Sequence, residues 1–331
     1  MTAMREDVKN FAKRTRATVI AGRIAAERGR DVRRLLGRRD GPMGATHRDL
    51  DLDVSLDYVD EVFEDYRTYA GLDTAALSGK TVMELGPGDS FGVAMRFIAA
   101  GAERVITADR FIPFRNAAQQ RAIYKGVLRR LGSDEQARVE GVMDSDGAPV
   151  AGGPIDVREG LAIEQAPEQV GRESVDIIVS RAVLEHVFDI DAAFDAMHTL
   201  LKPGGLMAHK VDLRDHGLFT DGGQHALTFL TIPDRTYRWM GEETAGLPNR
   251  VLMGWYREKL EGLGYEASFL TTHLAGIDAE VKPHPHVEDG LPDQAPLGSV
   301  DQIRKRLLPR FREMPTDELL TAGFFVIARK R

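Results

Sequence analysis

From Thr81 onward the chain alternates short, β-rich apolar runs with stretches of helical periodicity. Runs of five or six such residues read as strands, and apolar positions three and four apart read as amphipathic helices. On this basis Thr81–Leu85 is a strand, Phe91–Ala100 a helix and Arg104–Ala108 a second strand. Asn116–Leu131 follows as a helix with Ile123, Tyr124, Val127, Leu128 and Leu131 on one side. A third strand falls around Ile155–Val157, inside a stretch rich in Gly, Pro and acid. "VDIIVS", Val175–Ser180, is almost continuously apolar, the pattern of a strand covered on both faces. Asp191–Leu201 is helical, "KPGG" (Lys202–Gly205) is a turn, and Leu206–Val211 is the next strand. A helix over Asn249–Leu263 and late strands at Tyr265–Leu270 and Phe324–Ala328 complete the series. Such alternation predicts an α/β protein with a doubly wound sheet.

Two segments exceed a minimal sheet of this kind. They are 214–248 and 271–321, the second with helical spacing of Ile303, Leu307 and Phe311. Long insertions between strands are more often functional than accidental. Upstream, residues 1–39 are basic (Arg33, Arg34, Arg38 and Arg39 among them), with helical spacing at Ile20, Ile24, Val32, Leu35 and Leu36. Gly22 and Gly29 weaken that helix. The segment reads as a helical arm packed on its own domain or on a second copy of the chain. An anionic membrane surface is the alternative partner, disfavoured by the thin apolar face. "GPMG", Gly41–Gly44, breaks the chain before an acidic stretch over 40–65. Val59, Phe63, Tyr66 and Tyr69–Ala70 then mark a short amphipathic helix, and "SGK" (Ser78–Lys80) closes the region. The expected organisation is a helical extension over 1–78 and an α/β domain over 79–331.

Composition narrows the classes. The 331 residues are 43% hydrophobic and 29% charged, with a net charge of -7 and no cysteine. Nothing global suggests binding nucleic acid. Without cysteine there is no disulfide framework, thiolate metal site or Cys nucleophile, and a reducing compartment suits the chain. No stretch approaches the roughly 20 apolar residues of a membrane span, and the first residues lack the apolar core of a signal peptide. A cytoplasmic protein is expected.

"VMELGPGDSFG", Val82–Gly92, is the most informative stretch. Gly86 and Gly88 let backbone approach a ligand at a strand-to-helix turn. A strict G-x-G-x-x-G would need glycine at Phe91, so the dinucleotide fingerprint is broken. Glu84 and Asp89 flank the turn and would repel a pyrophosphate. They suit a ligand with positive charge and no phosphate.

This stretch resembles the first motif of class I S-adenosylmethionine-dependent methyltransferases. Three more stretches are similar in order and spacing: "VITADR", "VDIIVSRAVLEHVFD", and "LLKPGG" with "LMAHKVD". The resemblance spans about residues 80–270. It implies a Rossmann-like seven-stranded sheet, with "FFVIARK" as an antiparallel last strand. It implies S-adenosyl-L-methionine as cofactor and S-adenosyl-L-homocysteine as product. Glu84 would neighbour the methionine end, with Gly86, Pro87 and Gly88 beneath it. Ser90 stands where the family often has a third glycine. Asp109 would accept the ribose hydroxyls, with Arg110 after it, and Ser180 and Arg181 would face the cofactor. Gly160, Leu161, Ala162 and Ile163 are candidates for the adenine, although core packing explains Leu161 and Ile163 equally well. Within the class the chain is most similar to bacterial enzymes that modify small molecules or sugars.

Methyl transfer needs alignment above all, and a base if the acceptor is a hydroxyl. Candidate bases are His186, in "LEH", and His209, Asp215 and His216, with Asp212, at the end of the fifth strand. Ligands in open α/β sheets sit outside such strand ends. Capping of the strand and anchoring of the insertion are the structural alternatives. His225 is a further acceptor-pocket candidate. His284, His286 and Asp289 have the residue types of a metal site, but a proline-rich loop also carries stray histidines, and no metal is expected. Phe219, Phe229, Tyr237, Trp239, Trp255 and Tyr256 suit insertion core or an acceptor lid. Arg235, Arg238 and Arg250 suit an anionic acceptor or plain surface. Two rival readings stay open: an NADP-dependent oxidoreductase using Gly86, Gly88 and Gly92, and a non-catalytic cofactor-binding partner in an assembly.

Overall fold

The computed structural model describes residues 15–35, 46–48, 50–241 and 247–331. The "GPMG" break, and Leu36, Arg38 and Arg39 of the basic arm, lie outside them. Seven strands form one sheet in the order β3-β2-β1-β4-β5-β7-β6. They are β1 (Thr81–Leu85), β2 (Arg104–Asp109), β3 (Ile155–Glu159), β4 (Val175–Arg181), β5 (Leu201–Asp212), β6 (Tyr265–Leu274) and β7 (Thr321–Lys330). β1 to β5 pair in parallel, and β7 runs antiparallel between β5 and β6. The chain order reverses between β1 and β4, so a crevice opens beyond their carboxyl ends.

Side chains alternate across a strand, and the core follows that rule. Val82, Ile177 and Val179 belong to one apolar cluster, while Met83, Leu85 and Ile178 belong to the other. The first cluster lies under α2 (Leu52–Tyr69), α3 (Gly92–Ala99) and α4 (Ala117–Arg130). α2 buries Leu56, Val59, Val62, Phe63 and Tyr66 at three- and four-residue steps. Each large side chain so buried contributes about 2–3 kcal/mol of transfer free energy, which holds this N-terminal helix to the sheet. Asn116 caps α4 by accepting the amides of Ala118 and Gln119. The opposite face carries α5 (Ile190–Leu200), α6 (Met253–Gly262) and much of both insertions.

The strand boundaries extend past the sequence expectation wherever pairing continues. Lys202–Gly205, expected as a turn, falls inside the bounds of β5 but is its unpaired bulge: Leu201 pairs with Val175 and Leu206 with Ile177, and Gly204 takes a left-handed φ of 74°. α1 (Arg16–Leu35) packs on the first insertion of its own chain. Arg16 donates to Thr231 Oγ1 at 2.9 Å and Arg23 to the Met240 carbonyl at 3.1 Å. No helix among the described residues is long and apolar enough to cross a membrane.

Candidate active site

A cavity of about 320 Å³ opens at the carboxyl ends of β1, β2 and β4. Its floor is the turn after β1. Gly86 and Gly88 have φ of 65° and 64°, the left-handed region that glycine adopts without penalty. A Cβ on Gly86 would lie 2.5 Å from a Val183 methyl, so bare backbone is required there for packing as well. Gly92 serves differently: a Cβ would meet Val59 of α2 at 2.7 Å. It lines the cavity and is at the same time the glycine that lets α2 pack close to the turn. Ser90 lines the cavity and accepts the Gly92 amide at 3.2 Å, a bond within the turn just before α3.

The two acids of the turn have separate fates. Glu84 lines the cavity, is buried, and has an Oε2 without a hydrogen-bond partner. Burial pushes its pKa up to about 8. Asp89 does not line the cavity. Its carboxylate is buried and accepts the amides of Thr46 (3.0 Å) and His47 (3.0 Å). The expectation that Asp89 faces the ligand is therefore corrected: its charge is claimed by backbone donors, which strap residues 46–47 onto the cavity wall.

Asp109 ends β2 at the rim, where burial first, against the Phe111 amide and the Arg115 charge, raises its pKa. It accepts the Phe111 amide at 2.9 Å. Pro87, Arg110, Leu161, Ala162, Arg181 and His186 also line the cavity, as does Ile163. Arg110 lies 4.2 Å from the Phe188 ring centre, an aromatic wall beside the entrance. Arg181 touches the cavity with its charge already paired, 2.8 Å from Asp65 and 3.4 Å from Glu61. Ser180 does not reach the cavity, because it is buried and bonded to His209 at 2.8 Å.

Sequence reasoning missed several wall residues. Tyr58, Val59, Val62 and Tyr66 come from α2, and Thr46 and His47 from the strap. Arg115 braces the turn by donating to the Gly88 carbonyl at 2.9 Å and stacking on Phe91. Tyr124 accepts the Phe91 amide and donates to Gln120 Oε1 at 2.8 Å. The apolar face of α2 was visible in the sequence; which wall it covers was not.

The candidate bases separate equally clearly. His209 is fully buried against Phe194 and lines neither this cavity nor the next. Burial drives its pKa down to about 3. The expectation that it acts as a base is corrected, since its strand face points into core. Asp215 caps the loop beyond β5: its oxygens accept the amides of Gly217, Phe219 and Thr220 and the Thr220 hydroxyl. Those bonds fit the structural alternative, and Asp215 also lines the second cavity, with His216. His186 and His216 do meet, with ring centres 5.0 Å apart. His186 lines the first cavity. His216 lines a second, of about 380 Å³, walled by Arg214, Asp221, Gln224, Phe229, Leu252 and Ile277 among others. His216 also has a φ of 50°, rare for a residue with a Cβ.

The remaining candidates are mostly structural. His225 bonds the Ser299 carbonyl at 2.9 Å and accepts the Leu227 amide, joining the two insertions. His284 stacks on Tyr69 and sits with Asp65 and Glu280, whereas His286 pairs with Ser268. The His284–His286–Asp289 grouping is not assembled. Phe219, Tyr237 and Tyr256 are core, and Trp255 packs on Phe194 and Tyr256. Phe229 is buried at the second cavity's wall. Trp239 is half exposed under Arg235, and Arg238 is exposed. Arg250 is buried on Tyr237 and pairs with Asp234 at 2.7 Å.

A reversed seven-stranded sheet, a bare-backbone turn and an unpaired buried acid beneath it together define a site for a cationic ligand. A family model described as a methyltransferase domain matches residues 57–253, more than half of the chain. The chain belongs to that family: it is an S-adenosylmethionine-dependent methyltransferase. Solved structures similar to it include a CurJ carbon methyltransferase (11% identity, TM-score 0.39, covering 86% of this chain and 57% of that one). Others are S-adenosylmethionine-dependent methyltransferases from Mesorhizobium loti (15%, TM-score 0.41, covering 82% and 100%) and Archaeoglobus fulgidus (10%, TM-score 0.41, covering 82% and 94%). No curated protein matches the chain. The oxidoreductase rival gives way to the family assignment.

Proposed function

We propose that this enzyme methylates a hydroxyl of a small molecule, a sugar or secondary metabolite, held at the second cavity. Bound in the first cavity, S-adenosylmethionine supplies a methyl group already activated on a sulfonium. Glu84 pairs with its ammonium, which supplies the charge that the buried carboxylate lacks. Asp109 would take the ribose hydroxyls, and Leu161, Ala162 and Ile163, which line the same cavity, would border the adenine. Gly86, Pro87 and Gly88 pass beneath the methionine end. Arg110 and Phe188 border the entrance, and the paired Arg181 holds the wall rather than the ligand.

The acceptor reading rests on the contact of His186 with His216, which puts one wall residue of each cavity side by side. An acceptor in the second cavity would present its hydroxyl beside the edges of these rings, where orientation toward the donor supplies most of the acceleration. The second cavity mixes apolar walls (Phe229, Leu252, Ile277) with polar ones (Arg214, Asp221, Gln224), which suits a polyhydroxylated molecule with an apolar face. The test is release of S-adenosylhomocysteine from the purified enzyme with panels of hydroxyl, amine, peptide and RNA acceptors. Turnover with hydroxyl compounds alone supports the reading; turnover confined to the other panels overturns it.

A further inference from the structure

Glu185 is a carboxylate that nothing around it satisfies. It is fully buried, and neither oxygen completes a hydrogen bond of ordinary geometry. Burial drives its pKa well above the usual range; the Asp212 charge adds to this, and nearby backbone amides oppose it. Arg214 commits its guanidinium to Asp212, at 2.9 and 2.7 Å, and so leaves Glu185 unpaired. The neighbouring residue, His186, and His216 from beyond β5 each bring a ring nitrogen to the same spot. One ligating atom from each of the three lies within 4.8 Å of the others.

Two details suit a ligand set rather than a chance cluster. His186 Nδ1 faces the Leu247 carbonyl at 3.3 Å, and as an N–H donor there it leaves Nε2 to ligate. His216 is held in left-handed backbone, a conformation that persists in a non-glycine residue when the surroundings require it. A second group with the same residue types, Asp65–Glu280–His284, differs in one respect. There the ammonium of Lys210 already bonds both acids, so a cation is in place.

We propose that Glu185, His186 and His216 bind one first-row divalent transition cation at the boundary of the two cavities. Two imidazoles and one carboxylate match Zn²⁺ and its neighbours, whereas Mg²⁺ and Ca²⁺ prefer all-oxygen shells. Three protein ligands leave positions open for an incoming oxygen. Resting on the hydroxyl-acceptor reading, the cation's role is to hold that hydroxyl and lower its pKa. The O–CH3 bond then forms as the S–CH3 bond breaks, the bonding pair returns to sulfur, and the hydroxyl proton leaves to solvent. The competing occupant for Glu185 is a proton, which would leave the carboxyl neutral near Tyr256, whose hydroxyl is also buried without a partner.

The experiment titrates the full-length, chelator-stripped enzyme with Co²⁺ alone, read by visible d–d absorption and equilibrium dialysis. S-adenosylmethionine binding is measured in parallel to report the fold and the cofactor site. The expected result is one equivalent of Co²⁺ per chain. His216→Ala, an exposed substitution, should weaken binding by roughly tenfold or more, and Glu185→Gln should do the same. Binding that both variants leave unchanged overturns the site. So does absence of stoichiometric Co²⁺ binding in a protein that still binds S-adenosylmethionine, which would leave Glu185 protonated beside Tyr256. Stoichiometric binding lost in the variants, in an enzyme that methylates no hydroxyl, upholds the metal site and overturns only the acceptor reading.

Discussion

Glu84 and Asp89 sit five residues apart in one turn, yet only Glu84 is left without compensation. At neutral pH the empty enzyme holds Glu84 mostly as the neutral acid, because its pKa is raised to about 8. The sign of the linkage follows. A carboxyl raised above its unfolded value of 4.5 makes the empty protein lose stability as pH rises from there toward about 8. A cationic ligand needs the ionised form, so affinity should climb with pH and flatten above about 8, with a proton released on binding below it. Calorimetry in buffers of different ionisation enthalpy measures that proton, and a flat profile would remove Glu84 from the ligand's charge. Asp109→Ala should weaken S-adenosylmethionine by about tenfold or more, the loss expected for hydrogen bonds to a charged acceptor. Unchanged affinity in the same calorimeter would sink the ribose assignment.

At the scale of elements, the site is a meeting of the β1 turn, α2 and the 46–47 strap. α2 closes one wall because its apolar stripe covers the sheet face that Glu84 shares. The strap stays because Asp89 collects its amides. Asp89→Ala should therefore lower stability by about 1–3 kcal/mol, the cost of unsatisfied buried donors. It should also weaken the cofactor with Glu84 untouched. Thermal melting and calorimetry check the two halves; weaker melting with intact affinity would mean that the strap does not shape the cavity.

At the scale of the molecule, a buried ionic network ties the parts together. Asp65 of α2 meets Arg181 of β4 (2.8 Å), Lys210 of β5 (2.7 Å) and Lys282 of the second insertion (3.6 Å). Burial pushes the Asp65 carboxyl up, but Lys210, Arg181 and Lys282 outweigh it and hold it below the usual range. Its stabilisation is therefore present above the unfolded value of 3.8 and fades as pH falls through the lower folded value. Asp65→Asn should cost about 3–5 kcal/mol at neutral pH, since it strands buried cations. A shift in the urea midpoint measures this. A midpoint near wild type would show that water or Glu280 takes over.

Periodicity and turn chemistry are local, and they carried much of the fold. Thr81–Leu85 stands as read, the later strands differ at their ends, and Gly86, Gly88, Glu84 and Asp109 lie at the end of the sheet where the first cavity opens. Sequence could rank neither Glu84 against Asp89 nor His186 and His216 against His209. Those choices depend on which donors arrive from residues 46–47, which strand face is core, and which loop folds back over β5. Such contacts join residues far apart in the chain, so burial and pairing, and with them charge state, are decided only by the tertiary structure.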